Sequence, residues 1–288
     1  MKDGYWVIRT YVSGQVGEKI KFWVPGPRPK GRMTRRNRSD IRKAAQNEES
    51  SERQMARLIN ANFGPGDLLL GLDYAPEALL RLELEAAGGS GLRADTVLGG
   101  AGGKGRRKGQ MEARRPALTE PQRMDALRDA ADRTLANCIR RVKRELAKTG
   151  IELKYISVTA DMDGKTGEVV RVHHHLIVKR EARDAFLLKW QDLGLGGVSW
   201  SPLEKQDDYL VIAKYLLAQA RRSREGEHKY TASRNLLRPK PKDRVAASSS
   251  EVRVPKGCRL LHRQEFKPGK AQYIRYRIES DSGGEKSA

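Results

Sequence analysis

The spacing of hydrophobic and polar residues divides the chain into strand-like and helix-like stretches. Over the first 24 residues, apolar and polar positions alternate around Gly14 and Gly17, which predicts a β-hairpin. The apolar run within residues 62–74, bounded by a Gly-Pro-Gly turn, predicts a short buried strand. Two further strands are predicted over residues 153–160 and 168–178, joined by the turn-forming sequence MDGKTG. We expect neighbouring strands to pair antiparallel.

Helical periodicity marks other parts of the chain. From Thr119, a candidate N-cap, to Gly150, apolar residues recur at three- or four-residue steps, which predicts a long amphipathic helix. Shorter helices are predicted over residues 181–193 and 207–222, with a strand over 197–203 between them. Antiparallel strands with helices between them indicate an α+β fold, in which helices flank an antiparallel sheet.

Basic and glycine-rich stretches interrupt this pattern and set the predicted boundaries. Residues 28–43 hold eight Lys or Arg and lead into a polar helical stretch. Residues 86–115 are rich in Gly, Lys and Arg, which predicts a loop or insertion. The chain turns basic and loop-like over residues 221–244, and its last eight residues are expected to be disordered. The predicted parts are a hairpin with a basic helical extension, a central domain and a basic C-terminal extension, over residues 1–60, 61–240 and 241–288.

Composition restricts the partners of the chain. Lys and Arg number 57 against 36 Asp and Glu, for a formal charge of +21. This excess favours a polyanionic partner, because phosphate contacts release counterions, although a basic protein without such a partner is the alternative. Cys138 and Cys258 are too few for a disulfide framework or a cysteine zinc site, which fits a reducing cytoplasm. No stretch has the character of a signal peptide or a membrane helix, so we expect a cytoplasmic protein that does not associate with membranes.

Three consecutive histidines in a predicted strand are the candidate chemistry. Because side chains alternate across a strand, His173 and His175 point to one face and His174 to the other. Two imidazoles on one face, with Cα atoms about 7 Å apart, can bind one divalent ion. Asp161, at the end of the preceding strand, can add a carboxylate, and this set suits Mn²⁺ or Mg²⁺ better than structural zinc. A His-rich surface strand and a turn-capping role for Asp161 are the alternatives.

The segments around these residues resemble, in order, three motifs of the HUH superfamily of rolling-circle replication initiators (Rep proteins). Residues 155–178, YISVTAD through VHHHLIV, resemble the second motif, in which two metal-binding histidines flank one residue. Residues 62–74 resemble the first motif, a strand near the DNA-binding site. Residues 207–219 look like the third motif, which carries the nucleophilic tyrosine. The similarity covers roughly residues 50–240 and is closest to Reps related to the gene II protein of filamentous phages.

The resemblance implies the ferredoxin-like nuclease fold of the HUH family, with His173, His175 and Asp161 as ligands of Mn²⁺ or Mg²⁺. The sequence departs from the family pattern at two of these positions. The family usually has Glu at the step of Asp161, and a bulky apolar residue where His174 stands. The pair that binds the metal and the third ligand are therefore open at this stage.

Two tyrosines of the third motif compete for the role of nucleophile. On a helical wheel, Tyr209 lies in the centre of the apolar stripe and Tyr215 lies off it. A tyrosine in an apolar stripe is usually a core residue, and Tyr215 also matches the family position. We therefore expect Tyr215 to be the nucleophile, with Tyr209 as the alternative. Many Reps have a Lys three residues after the tyrosine, but Ala218 stands there, which makes Lys214 the candidate source of positive charge.

The activity implied by the resemblance is site-specific cleavage and rejoining of single-stranded DNA through a 5′-phosphotyrosyl intermediate, which initiates rolling-circle replication of a phage or mobile element. Single-stranded DNA or an origin hairpin is the expected partner, with a host helicase and polymerase as further candidates. An HUH relaxase or transposase, or a non-enzymatic nucleic-acid-binding protein, is the alternative. We expect basic residues of the insertion and of the segment after the third motif to contact DNA, namely Lys104, Arg106, Arg107, Lys108, Arg221 and Arg222.

Overall fold

The computed structural model describes residues 4–29, 50–86, 119–220, 229–266 and 271–279. Within these residues the chain is a mixed α+β protein with two five-stranded antiparallel sheets and five α-helices. Most of the basic run at 28–43, all but the first residue of the insertion predicted at 86–115, and the last eight residues lie outside the described residues. Among the helices that the structure describes, none combines the length and the apolar character needed to cross a bilayer.

The strands and helices follow one another in an irregular order. The strands are β1 (Gly4–Ser13), β2 (Val16–Pro25), β3 (Leu68–Asp73), β4 (Tyr155–Met162), β5 (Val169–Val178), β6 (Val198–Pro202), β7 (Thr231–Ala232), β8 (Lys242–Ala246), β9 (Cys258–Phe266) and β10 (Ala271–Ile278). The helices are α1 (Ser51–Asn62), α2 (Pro76–Ala86), α3 (Glu120–Ala147), α4 (Arg183–Asp192) and α5 (Leu210–Ala218).

One sheet, here called the central sheet, has the strand order β6-β3-β5-β4-β7. The strands expected over 62–74, 153–160, 168–178 and 197–203 are all present as β3, β4, β5 and β6, so these predictions are confirmed. The strand with the three histidines, β5, lies in the middle and pairs antiparallel with both β3 and β4. The expected α+β class, with an antiparallel sheet flanked by helices, is therefore confirmed as well.

Helices cover both faces of the central sheet because its strands are apolar on both sides. One face packs Leu70, Leu72 and Leu176 against α2, α3 and α4, with the fully buried Trp190 of α4 in the same cluster. The other face packs Ile156 and its neighbours against α1 and α5. The long helix predicted from Thr119 is confirmed as α3, which follows Thr119 as N-cap and is closed by Gly150 in a left-handed conformation.

The second sheet, here called the outer sheet, has the strand order β8-β1-β2-β10-β9. Its β1–β2 pair is the hairpin predicted from the first 24 residues, with Gly14 at a φ of 60° in the turn. The other three strands come from residues 242–278, where the sequence indicated only a basic, loop-like extension. That expectation is corrected: β10 pairs along the free side of β2, so the two ends of the described chain lie in one sheet.

A buried ion pair joins the outer sheet to α1. Arg57 of α1 donates two hydrogen bonds to the carboxylate of Glu18 on β2, at 3.2 and 2.9 Å, and both side chains are almost inaccessible to solvent. The hydroxyl of Tyr273 on β10 donates to the same carboxylate at 3.2 Å. The Arg57 guanidinium also lies 3.6 Å from the ring centroid of Tyr11. The polar groups satisfy one another, which a buried pair requires if it is not to destabilise the fold.

We expect Glu18→Ala to lower the free energy of unfolding by about 3–5 kcal/mol, because the Arg57 charge is then left buried without its carboxylate. The matched control is Glu85→Ala, which breaks an exposed pair with Arg133 and should change the free energy by no more than about 0.5 kcal/mol. Urea unfolding of both variants measures the difference. Equal losses of unfolding free energy in the two variants would show that the buried ion pair stabilises the protein no more than the exposed pair does.

Candidate active site

The histidines at 173 and 175 lie side by side on the face of the central sheet that carries α5. Their Nε2 atoms are 3.2 Å apart, and their rings meet edge to face. The Nδ1 atom of His173 lies 2.9 Å from the backbone oxygen of Arg171, which can only accept, so Nδ1 donates and in the neutral tautomer the lone pair is on Nε2. Burial is the largest cause that lowers the pKa of His175, followed by the charge of His173, and a lowered pKa favours the neutral imidazole that binds metals.

A third polar side chain reaches this pair from Gln219, the residue that follows α5. The side-chain oxygen Oε1 of Gln219 lies 3.3 Å from Nε2 of His175, while its amide nitrogen donates to the backbone oxygen of Tyr215. The backbone oxygen of Gln219 accepts hydrogen bonds from the N–H groups of Asp161 and Met162 at the end of β4. These contacts fix the end of α5 against the sheet. The sequence reasoning missed Gln219, although its spacing of four residues from Tyr215 was a usable signal.

The structure places Asp161 away from the histidine pair. Its buried carboxylate lies 3.5 Å from the guanidinium of Arg128 on α3, and α3 covers the opposite face of the sheet. Thr159, two residues earlier on β4, is the cross-strand partner of His174, so alternation along the strand places Asp161 on the face of His174. The expected ligand set is therefore corrected, because Asp161 does not accompany His173 and His175.

A carboxylate on β3, the second neighbour of β5, lies opposite one of the two histidines. Asp73 on β3 is the cross-strand partner of His173, and its charge raises the pKa of His175 against the stronger effect of burial. Asp73 is exposed at the end of its strand. Within the part of the chain that the structure describes, no three His, Cys, Asp or Glu side chains gather closely enough to hold a metal. An amide oxygen, from Gln219, therefore completes the group of three donors.

These three donors fit a divalent cation. Because an amide oxygen only accepts, Nε2 of His175 donates a proton toward Oε1 of Gln219 and Nε2 of His173, and a divalent cation bound by the three atoms would take the place of that proton. Imidazole nitrogen together with an uncharged oxygen suits Mn²⁺ and the other divalent ions of its series, whereas a structural zinc site would have four N or S ligands. The two imidazoles are therefore better suited to Mn²⁺ than to Mg²⁺, which prefers oxygen ligands.

The middle histidine has a different environment from its neighbours. His174 is fully buried, and its Nε2 lies 2.7 Å from the hydroxyl of Tyr74. Its Nδ1 lies 2.9 Å from Oγ1 of Thr159, whose hydroxyl donates to the carboxylate of Asp132 on α3. Burial, and then the charges of the two neighbouring histidines, lower the pKa of His174 to about 3, so it is neutral. His174 therefore ties β5 to its neighbours and holds the flanking histidines in place.

We expect His174→Ala to lower the free energy of unfolding by about 3 kcal/mol or more, since it leaves a cavity and removes the partner of the Tyr74 and Thr159 hydroxyls. His262→Ala, at an exposed histidine of β9, is the control and should be close to neutral. Denaturant unfolding distinguishes the two variants. A loss as small as that of the control would mean that the network around His174 does not stabilise the fold.

The two tyrosines of the third motif occupy contrasting positions. Tyr215 on α5 is 54% exposed, and its ring centroid lies 5.9 Å from that of His175. Tyr209 immediately precedes α5, is 5% exposed, and donates its hydroxyl proton to the backbone oxygen of Glu204 at 3.2 Å. Burial raises the pKa of Tyr209. The structure thus brings Tyr215 to the histidine pair and holds Tyr209 in the core, as the helical wheel predicts.

The expected basic residues are only partly described. Lys214 is exposed and lines a cleft between α5, α1 and the outer sheet, together with Arg53 and Arg275. It therefore belongs to a different surface from the histidine pair. The residues expected to contact DNA all lie outside the described residues, namely Lys104, Arg106, Arg107, Lys108, Arg221 and Arg222. Comparisons of the chain with protein-family models, with curated proteins and with solved structures found no match.

Proposed function

We propose that this chain is a metal-dependent DNA-nicking and strand-joining endonuclease of the HUH type, which initiates rolling-circle replication of a phage or mobile element in the cytoplasm. The observation that carries the proposal is the position of an exposed Tyr215 beside His173 and His175, with the Gln219 amide oxygen turned toward the same pair. The order of the three motifs along the chain and the formal charge of +21 support it independently.

The Nε2 atoms of His173 and His175 and the Oε1 atom of Gln219 would hold the Mn²⁺ or Mg²⁺ ion. When bound there, the ion would supply positive charge to oxygens of the scissile phosphate. The backbone oxygen of Arg171 fixes the tautomer of His173, which keeps its Nε2 lone pair directed into the site. The buried His174 keeps both flanking imidazoles on the same side of β5.

Tyr215 supplies the nucleophile in this proposal. Its phenolic oxygen gives up its proton and forms a bond to phosphorus, while the bond between phosphorus and the 3′ oxygen of the preceding nucleotide breaks. That oxygen takes up a proton and leaves as a free 3′-OH, and the downstream strand stays attached to Tyr215 through its 5′ phosphate. Because the ester is conserved, a 3′-OH can attack the phosphotyrosine and rejoin a strand without a nucleotide cofactor.

End-labelled single strands from the DNA element that carries the gene test this function. With Mn²⁺, a strand labelled at its 3′ end should become covalently attached to the protein and survive denaturation in detergent. The same strand labelled at its 5′ end should be released as a shorter, protein-free product. Chelation of the metal should abolish both results. If no strand from the element gives either the covalent adduct or the shorter product, the chain is a nucleic-acid-binding protein without this activity.

A further inference from the structure

A continuous groove runs along α3, between that helix and the edge of the central sheet. It consists of two depressions of about 560 and 680 Å³, which share Ile139, Arg140 and Tyr155. The first is also lined by Thr159, which contacts His174 and therefore lies on the face opposite to His173 and His175. The groove is thus separate from the candidate active site.

The groove is electropositive. Its two acidic side chains, Asp132 and Glu152, are engaged by Thr159 and Asn235 respectively. Four cations that line it make no ion pair within the described residues, and they come from α3 and from the segment around β7. They are Arg140, Lys143, Lys229 and Arg234.

Two tyrosine rings lie among these cations. Tyr155 and Tyr230 are half-buried, and burial raises the pKa of both, so that they are neutral. Cations interleaved with aromatic rings are typical of grooves that bind single-stranded nucleic acid, because the cations follow the phosphates while bases stack on the rings. The bases of a duplex are already stacked on one another and would not stack on the two tyrosine rings.

One end of the groove meets the helix that carries the candidate nucleophile. Lys229 donates a hydrogen bond of 3.2 Å to the backbone oxygen of Leu217, in the last turn of α5. Leu217 lies two residues from both Tyr215 and Gln219. Lys229 therefore places one end of the groove next to the helix that carries Tyr215.

We propose that this groove binds the backbone of single-stranded DNA on one side of the cleaved phosphate. The proposal rests on the proposed function for the position of that phosphate at Tyr215. Arg140, Lys143 and Arg234 contact phosphates, and Tyr155 and Tyr230 provide surfaces for the bases. Binding here would hold a strand on the far side of the sheet while its scissile phosphate is at the histidine pair.

A pair of double variants on α3 tests the groove. Arg140→Gln/Lys143→Gln removes two cations that line it, and the control Arg141→Gln/Arg144→Gln removes two exposed cations of the same helix that do not. Fluorescence anisotropy with a long oligothymidylate measures the affinity at several salt concentrations. The groove variant should bind several-fold more weakly, and its log–log salt slope should fall by about 1.4, at about 0.7 for each lost single-strand phosphate contact. A short oligothymidylate that fills only the Tyr215 site should bind the groove variant and the wild type equally.

The outcomes separate this proposal from the proposed function. If both double variants lose the same affinity and slope, the effect is one of general charge and the groove proposal is overturned. It is also overturned if the groove variant loses as much affinity for a duplex of the same length as for the single strand. A selective loss on the long single strand supports the groove even if the wild type forms no covalent adduct, in which case the proposed cleavage alone has failed.

Discussion

Tyr215→Phe will form no covalent protein–DNA adduct, with a loss of about 10⁴-fold or more in cleavage, because the substitution removes the attacking oxygen itself. The side chain is 54% exposed and its hydroxyl makes no hydrogen bond within the described structure, so stability should be unchanged. Affinity for single-stranded DNA should stay near that of wild type, because phosphate contacts dominate it. Detergent gels of 3′-labelled strands measure the adduct, and anisotropy measures binding.

Tyr209→Phe is the matched control for this experiment, since it removes the same atom from the same motif. It should cleave at nearly the wild-type rate and lose about 1 kcal/mol of stability, for the hydrogen bond to Glu204. Mass spectrometry of the adduct from wild type identifies the tyrosine directly. A phosphotyrosyl peptide that contains position 209 as the modified residue would reverse the two roles.

Gln219→Ala and Asp161→Asn will affect different properties of the protein: the first will weaken Mn²⁺ binding and the second will lower stability. Gln219→Ala removes a donor at the histidine pair and should raise the Mn²⁺ concentration needed for half-maximal binding by about 10- to 100-fold. Asp161→Asn should leave Mn²⁺ binding near normal. It should lower the free energy of unfolding by about 3 kcal/mol, because the buried Arg128 charge loses the negative charge of Asp161.

Calorimetric titration with Mn²⁺ measures binding independently of cleavage, and urea unfolding measures stability. His175→Ala is the positive control, and it should abolish both Mn²⁺ binding at this site and cleavage. If Asp161→Asn weakens Mn²⁺ binding while Gln219→Ala does not, then Asp161 is the third ligand. Its side chain would then have to move to the face of His173 and His175 when the metal binds. If His175→Ala cleaves normally, there is no metal site at these residues.

Much of the site followed from local periodicity. Strand alternation placed His173 and His175 on one face and His174 on the other, because the period of two is fixed by the backbone. The helical wheel separated Tyr215 from Tyr209 for the same reason, although the helix α5 is shorter than the predicted 207–222. Both predictions concern residues whose environment is set within one element.

What escaped prediction depends on contacts between elements. The direction of Asp161 follows from the register between β4 and β5, which pairs Thr159 with His174 and so places Asp161 on their face. On that face it meets Arg128 of α3, which lies 33 positions earlier in sequence. The role of Gln219 depends on how the last turn of α5 meets β4. The strands β8, β9 and β10 carry many cations, so their sequence resembled a basic loop until their pairing with the N-terminal hairpin was known.

The pairing of β2 with β10 has a consequence for how the protein acquires its structure. The hairpin β1–β2 is synthesised before the central sheet, but the side of β2 that pairs with β10 has no β10 partner until the whole central sheet has been made. Such a long-range closure slows folding and leaves an unpaired strand edge open to other nascent chains. When the protein is overproduced, fast translation should therefore increase the aggregated fraction. Slower synthesis, or a chaperone that covers the unpaired edge of β2, should reduce that fraction.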